Sequence, residues 1–491
     1  MRGCFAHLMP VQRLRSRRWC ALIMGMVLLV ALSNVLAPKG WAKMPKPIAS
    51  ALSKAKLPPS AVSISVHAIG ENKPRLQLNA TTARNPASAI KLVTTWTALE
   101  VLGPTHVWPT EIYLLGKVEG DTLEGDLAIK GYGDPFLVIE QLWLLVGELR
   151  RTGLRKITGR LLLDDSYYAV NAPPPGAFDN RPHRLYNTRP NALLTNFYAT
   201  RFHFSPGKKG VSVTAEPDLP NLEIISRVKS NNNNCSANAP KIRLSHEREA
   251  KVERSTFTGS LPRQCRRYSL SRSVMHPQAY TYGLFKRLWE QWGGTIKRGF
   301  ARTQVPADAK PLLTWHSRPL GDIVRPLNKW SNNVMSRLLL FAIGASVHPP
   351  PVNRAQGVAV LKKHLTNVGL NTEGLVIDNG AGLSRDTRVT ARFMTDLLRY
   401  AWRTPLMPEF VSSLSVVGTD GTARRRFRAK PEAGRMHVKT GRLKQVSAIA
   451  GYVHARSGKT LTVAVIANHK NVRRYGGKTL ENAVLKWAHG L

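Results

Sequence analysis

In the stretch NPASAIKLVTTWTALEVLG, Asn85 to Gly103, Ser88 opens an apolar-rich helical pattern and Lys91 follows three positions later. Positions i and i+3 share one face of an α-helix, so the spacing makes the hydroxyl and the amine neighbours. A serine hydroxyl is a weak nucleophile near neutral pH and needs a base beside it. A lysine can be that base when burial or a second cation lowers its pKa, because both disfavour the ammonium. The competing reading is a surface lysine whose stem lies on apolar neighbours while its head reaches water. Spacing alone does not choose, since Ser53/Lys56, Ser205/Lys208 and Ser226/Lys229 repeat the pattern.

Two further motifs narrow the choice. Ser331 and Asn333 form Ser-x-Asn at the start of a second apolar helical pattern, PLNKWSNNVMSRLLLFAIGAS, although Ser230/Asn232 and Ser236/Asn238 also match. Lys439, Thr440 and Gly441 form the one Lys-Thr-Gly, on an expected strand, where a strand end or β-turn is the plain alternative. Taken in order, Ser-x-x-Lys, Ser-x-Asn and Lys-Thr-Gly form the triplet of penicillin-binding proteins and β-lactamases.

The longer stretches GYGDPFL, RPLNKWSNNVMSRLLL, DNGAGLSR, GTDGTARRRF and HVKTGRLKQVSAIAGYV sharpen this. From about Ser60 to the end, the chain resembles the class C low-molecular-mass penicillin-binding proteins, the D-alanyl-D-alanine carboxypeptidase/endopeptidase family (peptidase family S13). The resemblance implies that Ser88 forms an acyl-enzyme with the penultimate D-Ala of a muropeptide and that Lys91 takes its proton. It implies that Ser331 shuttles a proton to the leaving amine and that Asn333 bonds the substrate peptide. Lys439 is expected as a second cation facing the terminal carboxylate, with Thr440 donating to that carboxylate and Gly441 allowing close backbone approach. The backbone N–H groups of Ser88 and Arg442 are the expected oxyanion hole. β-Lactams are expected to label Ser88, and no cofactor or metal is implied.

The chain departs from the family pattern in places. Arg442 stands where serine is usual, which puts a long cation at the mouth of the site, with Lys444 on the same side if the strand continues. Solvent-facing side chains are the other reading of both. Ala381 also replaces a usual serine, and Tyr132 sits in a Gly-rich run. Asp378 and Arg385 are expected to hold a loop; Asp134 and Asp165 are weaker candidates for contacting a substrate side chain.

The elements that must position these residues follow from periodicity. AVSISVHAI and PRLQLNA alternate apolar and polar residues across GENK and read as a hairpin. MHVKTG, VSAIAGYVHA and TLTVAVIANH read as successive strands, and LENAVLKWAHGL as a closing helix. VTARFMTDLLRYAWRT and YTYGLFKRLWEQWGG read as helices. The expected fold is α+β: a penicillin-binding-protein/β-lactamase-like transpeptidase domain, an antiparallel sheet packed by helices, assembled from residues 43–105 and 306–491. Residues 106–305 form an inserted, mostly β region of one or two small domains, with loops at NAPPPGAF and SNNNNCSANAP.

The whole chain is consistent with this. Its 491 residues are 43% hydrophobic and 21% charged, the balance of a globular chain with a sizeable core. Residues 1–42 run from an arginine-rich stretch through WCALIMGMVLLVALSNVLA to GWA, the order of an export signal cleaved after Ala42. An uncleaved membrane anchor is the alternative. Either way the body is exported, and a periplasmic location is expected. Removing 1–42 takes away six basic residues and no acid, which lowers the net charge from +42 to +36. Such a surface adheres to polyanions. No zinc-finger spacing or heptad-linked basic region supports nucleic acid, so anionic wall polymers or outer-membrane head groups are the expected partners. Cys235 and Cys265 remain in the exported body, an even pair that suggests one disulfide, with two buried thiols as the alternative.

Three functions compete: an active DD-peptidase trimming D-Ala or cutting D-Ala–diaminopimelate cross-links, a β-lactamase of the same superfamily, and a non-catalytic wall-binding protein. The retention of Ser88, Lys91, Ser331, Asn333 and Lys439 argues against the last.

Overall fold

The computed structural model describes residues 44–491 apart from 208–209, 237–238, 249–251 and 474–475, so the expected export segment lies outside the described residues. The two ends of the chain meet in one six-stranded sheet, in the order Ser415–Val416, Met436–Leu443, Val446–His454, Thr460–Asn468, Val62–Ala68, Leu76–Leu78. Every pairing in it is antiparallel. Val62–Ala68 lies against Thr460–Asn468, with Val62 opposite Ala467 and Ala68 opposite Leu461.

Strand alternation divides this sheet between two cores. Val62, Ile64, Val66, Ile449, Val463 and Val465 face the helices Lys46–Lys54 and Gly477–His489. Ala448, Ala450, Tyr452, Ala464 and Ile466 face a larger helical layer. In Val62–Ala68 the polar residues of the alternation are buried as well. Helix Ala391–Trp402 covers them, and the Ser65 and Thr395 hydroxyls lie 2.8 Å apart. A buried polar face is tolerable only with partners of this kind.

At the centre of the helical layer runs Lys91–Leu102, buried at every position from Lys91 to Leu99. Leu92, Val93, Trp96 and Leu99 pack among Leu320, Ile323 and Leu327 of one helix and Met335, Leu339 and Ile343 of the next. A helix apolar on all sides belongs in a core and not on a surface.

The inserted region differs from expectation in two ways. It holds a second helix besides Pro277–Gln291: Ile139–Arg151, which buries Leu142, Leu145, Val146 and Leu149 along one stripe. Its main sheet also runs past residue 305, because Leu313–His316 pairs with Pro109–Glu119. Two three-stranded sheets complete it. Cys235 and Cys265 form a disulfide with Cα atoms 5.2 Å apart, which ties the Asn-rich loop to the turn that follows the strand Glu253–Pro262. The region shares its core with the peptidase unit through Val334, Leu338, Phe341 and Val352, so it is seated on the helix that begins at Asn333.

Candidate active site

Ser88 does not sit on the α-helix itself. A 3-10 turn, Ala87–Ile90, precedes Lys91–Leu102, and Ala87 has a positive φ of 47°. Positions i and i+3 nearly eclipse in a 3-10 turn. Asn85 secures the turn from three sides: its side chain accepts from the Ala87 N–H and donates to the Ser384 carbonyl, while its backbone exchanges two bonds with the Asn468 side chain. The result places Lys91 Nζ 3.1 Å from Ser88 Oγ.

Lys91 has no exposed surface, so it is not a surface lysine. Its Nζ donates to Asn333 Oδ1 at 2.7 Å and to the Ala381 carbonyl. An uncharged amine has two N–H groups and one lone pair. In that form, donation to Asn333 and Ala381 uses both hydrogens and turns the lone pair toward the Ser88 hydroxyl, whereas the ammonium form would donate to all three. Burial pushes the Lys91 pKa well below its ordinary value, and the charges of Lys439 and then Arg337 push it further.

Lys439 is equally buried and donates to Ser331 Oγ at 2.7 Å and to the Thr440 carbonyl at 3.1 Å. Burial alone brings its pKa down to about 7. Lys439 therefore holds its proton less firmly than an exposed lysine does. Arg337, pulled down only to about 10 by burial, is the charge near Lys91 that persists at neutral pH.

Ser331 was expected to open a helix; it closes one instead. It is the C-cap of Leu320–Trp330, in the left-handed region at φ 60° and ψ 42°. Asn332 then caps the helix from Asn333 by accepting from the Met335 N–H. A non-glycine residue held this way costs about 1–3 kcal/mol and persists where its surroundings impose it. The surroundings are visible: Asn328 donates to Thr95 and Ser413, and Lys329 pairs with Asp420 at 2.6 Å. Helix Leu320–Trp330 escaped the sequence reading because Pro326 lies inside it. Asn333 uses its amide N–H on the Tyr186 carbonyl at 3.0 Å, which joins the inserted region to the site.

On the Lys-Thr-Gly strand, Gly441 faces the nucleophile turn. A Cβ there would lie 2.2 Å from the Pro86 carbonyl oxygen and 3.2 Å from the Ser88 nitrogen, so no side chain fits. Thr440 donates from its hydroxyl to Thr422 at 2.9 Å. The Arg442 side chain does not line the mouth. It lies on the strand face of Val438 and Thr440, away from Lys439 and Gly441, and is drawn into two bonds of 2.6 and 2.7 Å to Glu481. Glu481, 1% exposed, also receives Arg426 and the Ser447 hydroxyl, so its carboxylate is fully engaged. Lys444 lies exposed in the turn after the strand ends at Leu443.

The remaining candidates stand elsewhere. Asp378 pairs with Arg354. Arg385 donates to the Phe178 carbonyl at 3.1 Å and lies over the Phe178 ring. Both hold loops, as expected. Asp165 is engaged by Arg302, Asn191 and Gln278. Asp134 is buried and caps the Phe136 N–H; burial raises its carboxyl to about 7. Tyr132 donates to Glu111. None of these contacts Ser88, Lys91, Ser331 or Lys439.

Two contributors were not foreseen. The Ala381 carbonyl receives Lys91 and lies 3.4 Å from Ser88 Oγ, a backbone role that its side chain does not reveal. Asn379 shapes that loop by accepting from the N–H groups of Ala381 and Gly382. A Cβ on Gly382 would meet the Ala87 carbonyl oxygen at 2.0 Å, and this glycine signal in DNGAGL marked the close approach. Arg337 is the second, and its guanidinium donates to the Thr188 carbonyl at 2.6 Å.

The arrangement supplies a hydroxyl beside a buried amine of lowered basicity, a second hydroxyl–amine pair and a strand backbone against the nucleophile turn, which suits acyl transfer. Comparison with known proteins agrees. The D-Ala-D-Ala carboxypeptidase 3 (S13) family matches residues 44–491. A D-alanyl-D-alanine carboxypeptidase from Actinomadura sp. (strain R39) is 31% identical over 380 residues, covering 74% of this chain and 70% of that one. The crystal structure of penicillin-binding protein 4 from Haemophilus influenzae superposes with a TM-score of 0.74 at 22% identity, covering 91% of this chain and all of that chain. A second structure of the Haemophilus protein, complexed with a β-lactam, superposes with a TM-score of 0.71 at 23% identity and the same coverage. The chain belongs to the D-Ala-D-Ala carboxypeptidase 3 (S13) family.

Proposed function

We propose that this protein is a serine DD-peptidase of peptidoglycan stem peptides, with Ser88 as nucleophile and Lys91 as its base. The observation that carries the reading is the buried Lys91 amine 3.1 Å from Ser88 Oγ, with both of its donor directions occupied. Ser88 attacks the carbonyl of the penultimate D-Ala while its proton passes to Lys91. The backbone N–H groups of Ser88 and Arg442 hold the developing oxyanion; one such donor is worth roughly 3 kcal/mol in related chemistry. Glu481 anchors Arg442 from the far face and so steadies that N–H. Ser331, in contact with Lys439, gives its hydroxyl proton to the leaving nitrogen as the C–N bond breaks and takes the proton held by Lys91 in exchange, which returns Lys91 to the free amine. The leaving group is free D-Ala or the amine of a diaminopimelate cross-link. Water then attacks the ester while Lys91 takes its proton, and Lys91 returns that proton to Ser88 Oγ as the ester C–O bond breaks.

Lys439 and Thr440 receive the substrate's terminal carboxylate, and its negative charge restores the proton that burial removes from Lys439. Among the described residues, the partners of Ser88, Lys91, Ser331 and Lys439 are hydroxyls, an amide and backbone carbonyls. None is a carboxylate that could activate water against a β-lactam acyl-enzyme. This favours a stable penicillin adduct over turnover. The export segment supports a periplasmic location, and the +36 charge of the exported body supports adhesion to anionic wall or outer-membrane surfaces.

Ser88→Ala is expected to abolish covalent labelling by fluorescent penicillin while leaving the thermal transition within a few degrees; labelling that survives would place the nucleophile elsewhere. Activity should need Lys91 uncharged and Lys439 charged. The kcat/KM profile should therefore fall in acid as Lys91 gains a proton and fall above about pH 7 as Lys439 loses one. The alkaline limb of kcat should lie at higher pH than that of kcat/KM, because the bound carboxylate raises Lys439; coincident limbs would contradict this pairing. Retention on anionic vesicles or sacculi should drop steeply between low and physiological salt, and indifference to salt would refute the electrostatic reading.

A further inference from the structure

Trp330 is 62% exposed, an unusual state for a tryptophan, and it immediately precedes Ser331. The Arg424 guanidinium lies 5.7 Å from the centre of its ring and also donates to the Gly421 carbonyl. Arg424 belongs to the loop whose Thr422 accepts from Thr440 of the Lys-Thr-Gly strand. The exposed indole and guanidinium thus border the site beside both Ser331 and Thr440. Arg425 is exposed next to them. Among the described residues, neither arginine has a carboxylate within ion-pair distance. The neighbouring Arg426, by contrast, is buried against Glu481.

Accepting the peptidase reading above, Ser331 serves the leaving nitrogen and Thr440 the carboxylate beside it. A terminal D-Ala ends there. A cross-linked substrate continues, because its leaving group is a diaminopimelate within a second stem peptide that carries further free carboxylates. We propose that Trp330, Arg424 and Arg425 form a subsite for this second, acidic stem peptide and that it biases the enzyme toward cutting cross-links. Arg424 and Arg425 meet the carboxylates, and the indole gives the peptide a rigid apolar platform while holding Arg424 by its face.

The test compares two purified substrates in the full exported chain: a disaccharide-tetrapeptide dimer cross-linked through D-Ala–diaminopimelate, and the matching disaccharide pentapeptide. Trp330→Ala and the Arg424→Ala/Arg425→Ala pair should each lower kcat/KM for the dimer roughly fivefold to tenfold relative to D-Ala release from the pentapeptide. Trp330→Phe should keep the wild-type ratio, and stoichiometric penicillin labelling establishes that each variant is folded. An unchanged ratio in both variants overturns the proposal. A loss confined to Trp330→Ala also overturns it, since that would mark an apolar or sugar-stacking contact. A wild-type chain that releases D-Ala but leaves the dimer intact removes the subsite while the peptidase reading stands; one that does neither removes both.

Discussion

The site depends on keeping one amine dry. Lys91 begins a helix that is buried on every side over its first nine residues, and its head ends among an amide oxygen, a backbone carbonyl and a hydroxyl, with no carboxylate bonded to it among the described residues. Taking an ammonium out of water without a counter-charge costs several kcal/mol, and that cost pushes the side chain toward giving up its proton. The same loss turns an awkward core residue into a base. Lys439 obeys the same rule in milder form. The free site therefore holds two amines of reduced basicity near one lasting cation, Arg337.

Such an arrangement demands a rigid frame, and the frame is built mostly from the backbone. Four separated segments converge: the turn at 85–91, the junction at 331–333, the loop at 379–384 and the strand at 439–442. Asn85 bonds Ser384 and Asn468, both distant in the chain, to the nucleophile turn. Gly382 and Gly441 allow two backbones to press against that turn where any Cβ would collide. Glu481 fixes the far side of the Lys-Thr-Gly strand through Arg442 and Arg426. Asn333 and Arg337 bond Tyr186 and Thr188, so the inserted region also holds the helix that carries two site residues.

Much of this was legible in the residues. The alternation in AVSISVHAI and TLTVAVIANH identified strands from opposite ends of the chain, and the motif residues Ser88, Lys91, Ser331, Asn333 and Lys439 do come together. What stayed hidden has physical reasons. Helix Leu320–Trp330 was masked by Pro326, since an internal proline reads as a break. Ile139–Arg151 was missed inside a stretch dominated by short strands. The two readings of Arg442 stayed open because its place after a motif says nothing of the buried Glu481 that claims its guanidinium. The Ala381 carbonyl could not be read from a side chain at all. The lowered basicity of Lys439 stayed hidden because a motif shows identity but not burial.

The central claim is that Lys91 carries no proton in the resting enzyme at neutral pH. The direct test is a pH titration of the full exported chain by NMR of lysines labelled with 13C at Cε, with the Lys91 resonance assigned from a Lys91→Arg variant. The account predicts a Lys91 signal at the neutral-amine position at pH 7 that titrates far below the bulk of the lysines. A Lys91 resonance that stays in the ammonium position until about pH 10, with the surface lysines, would contradict it.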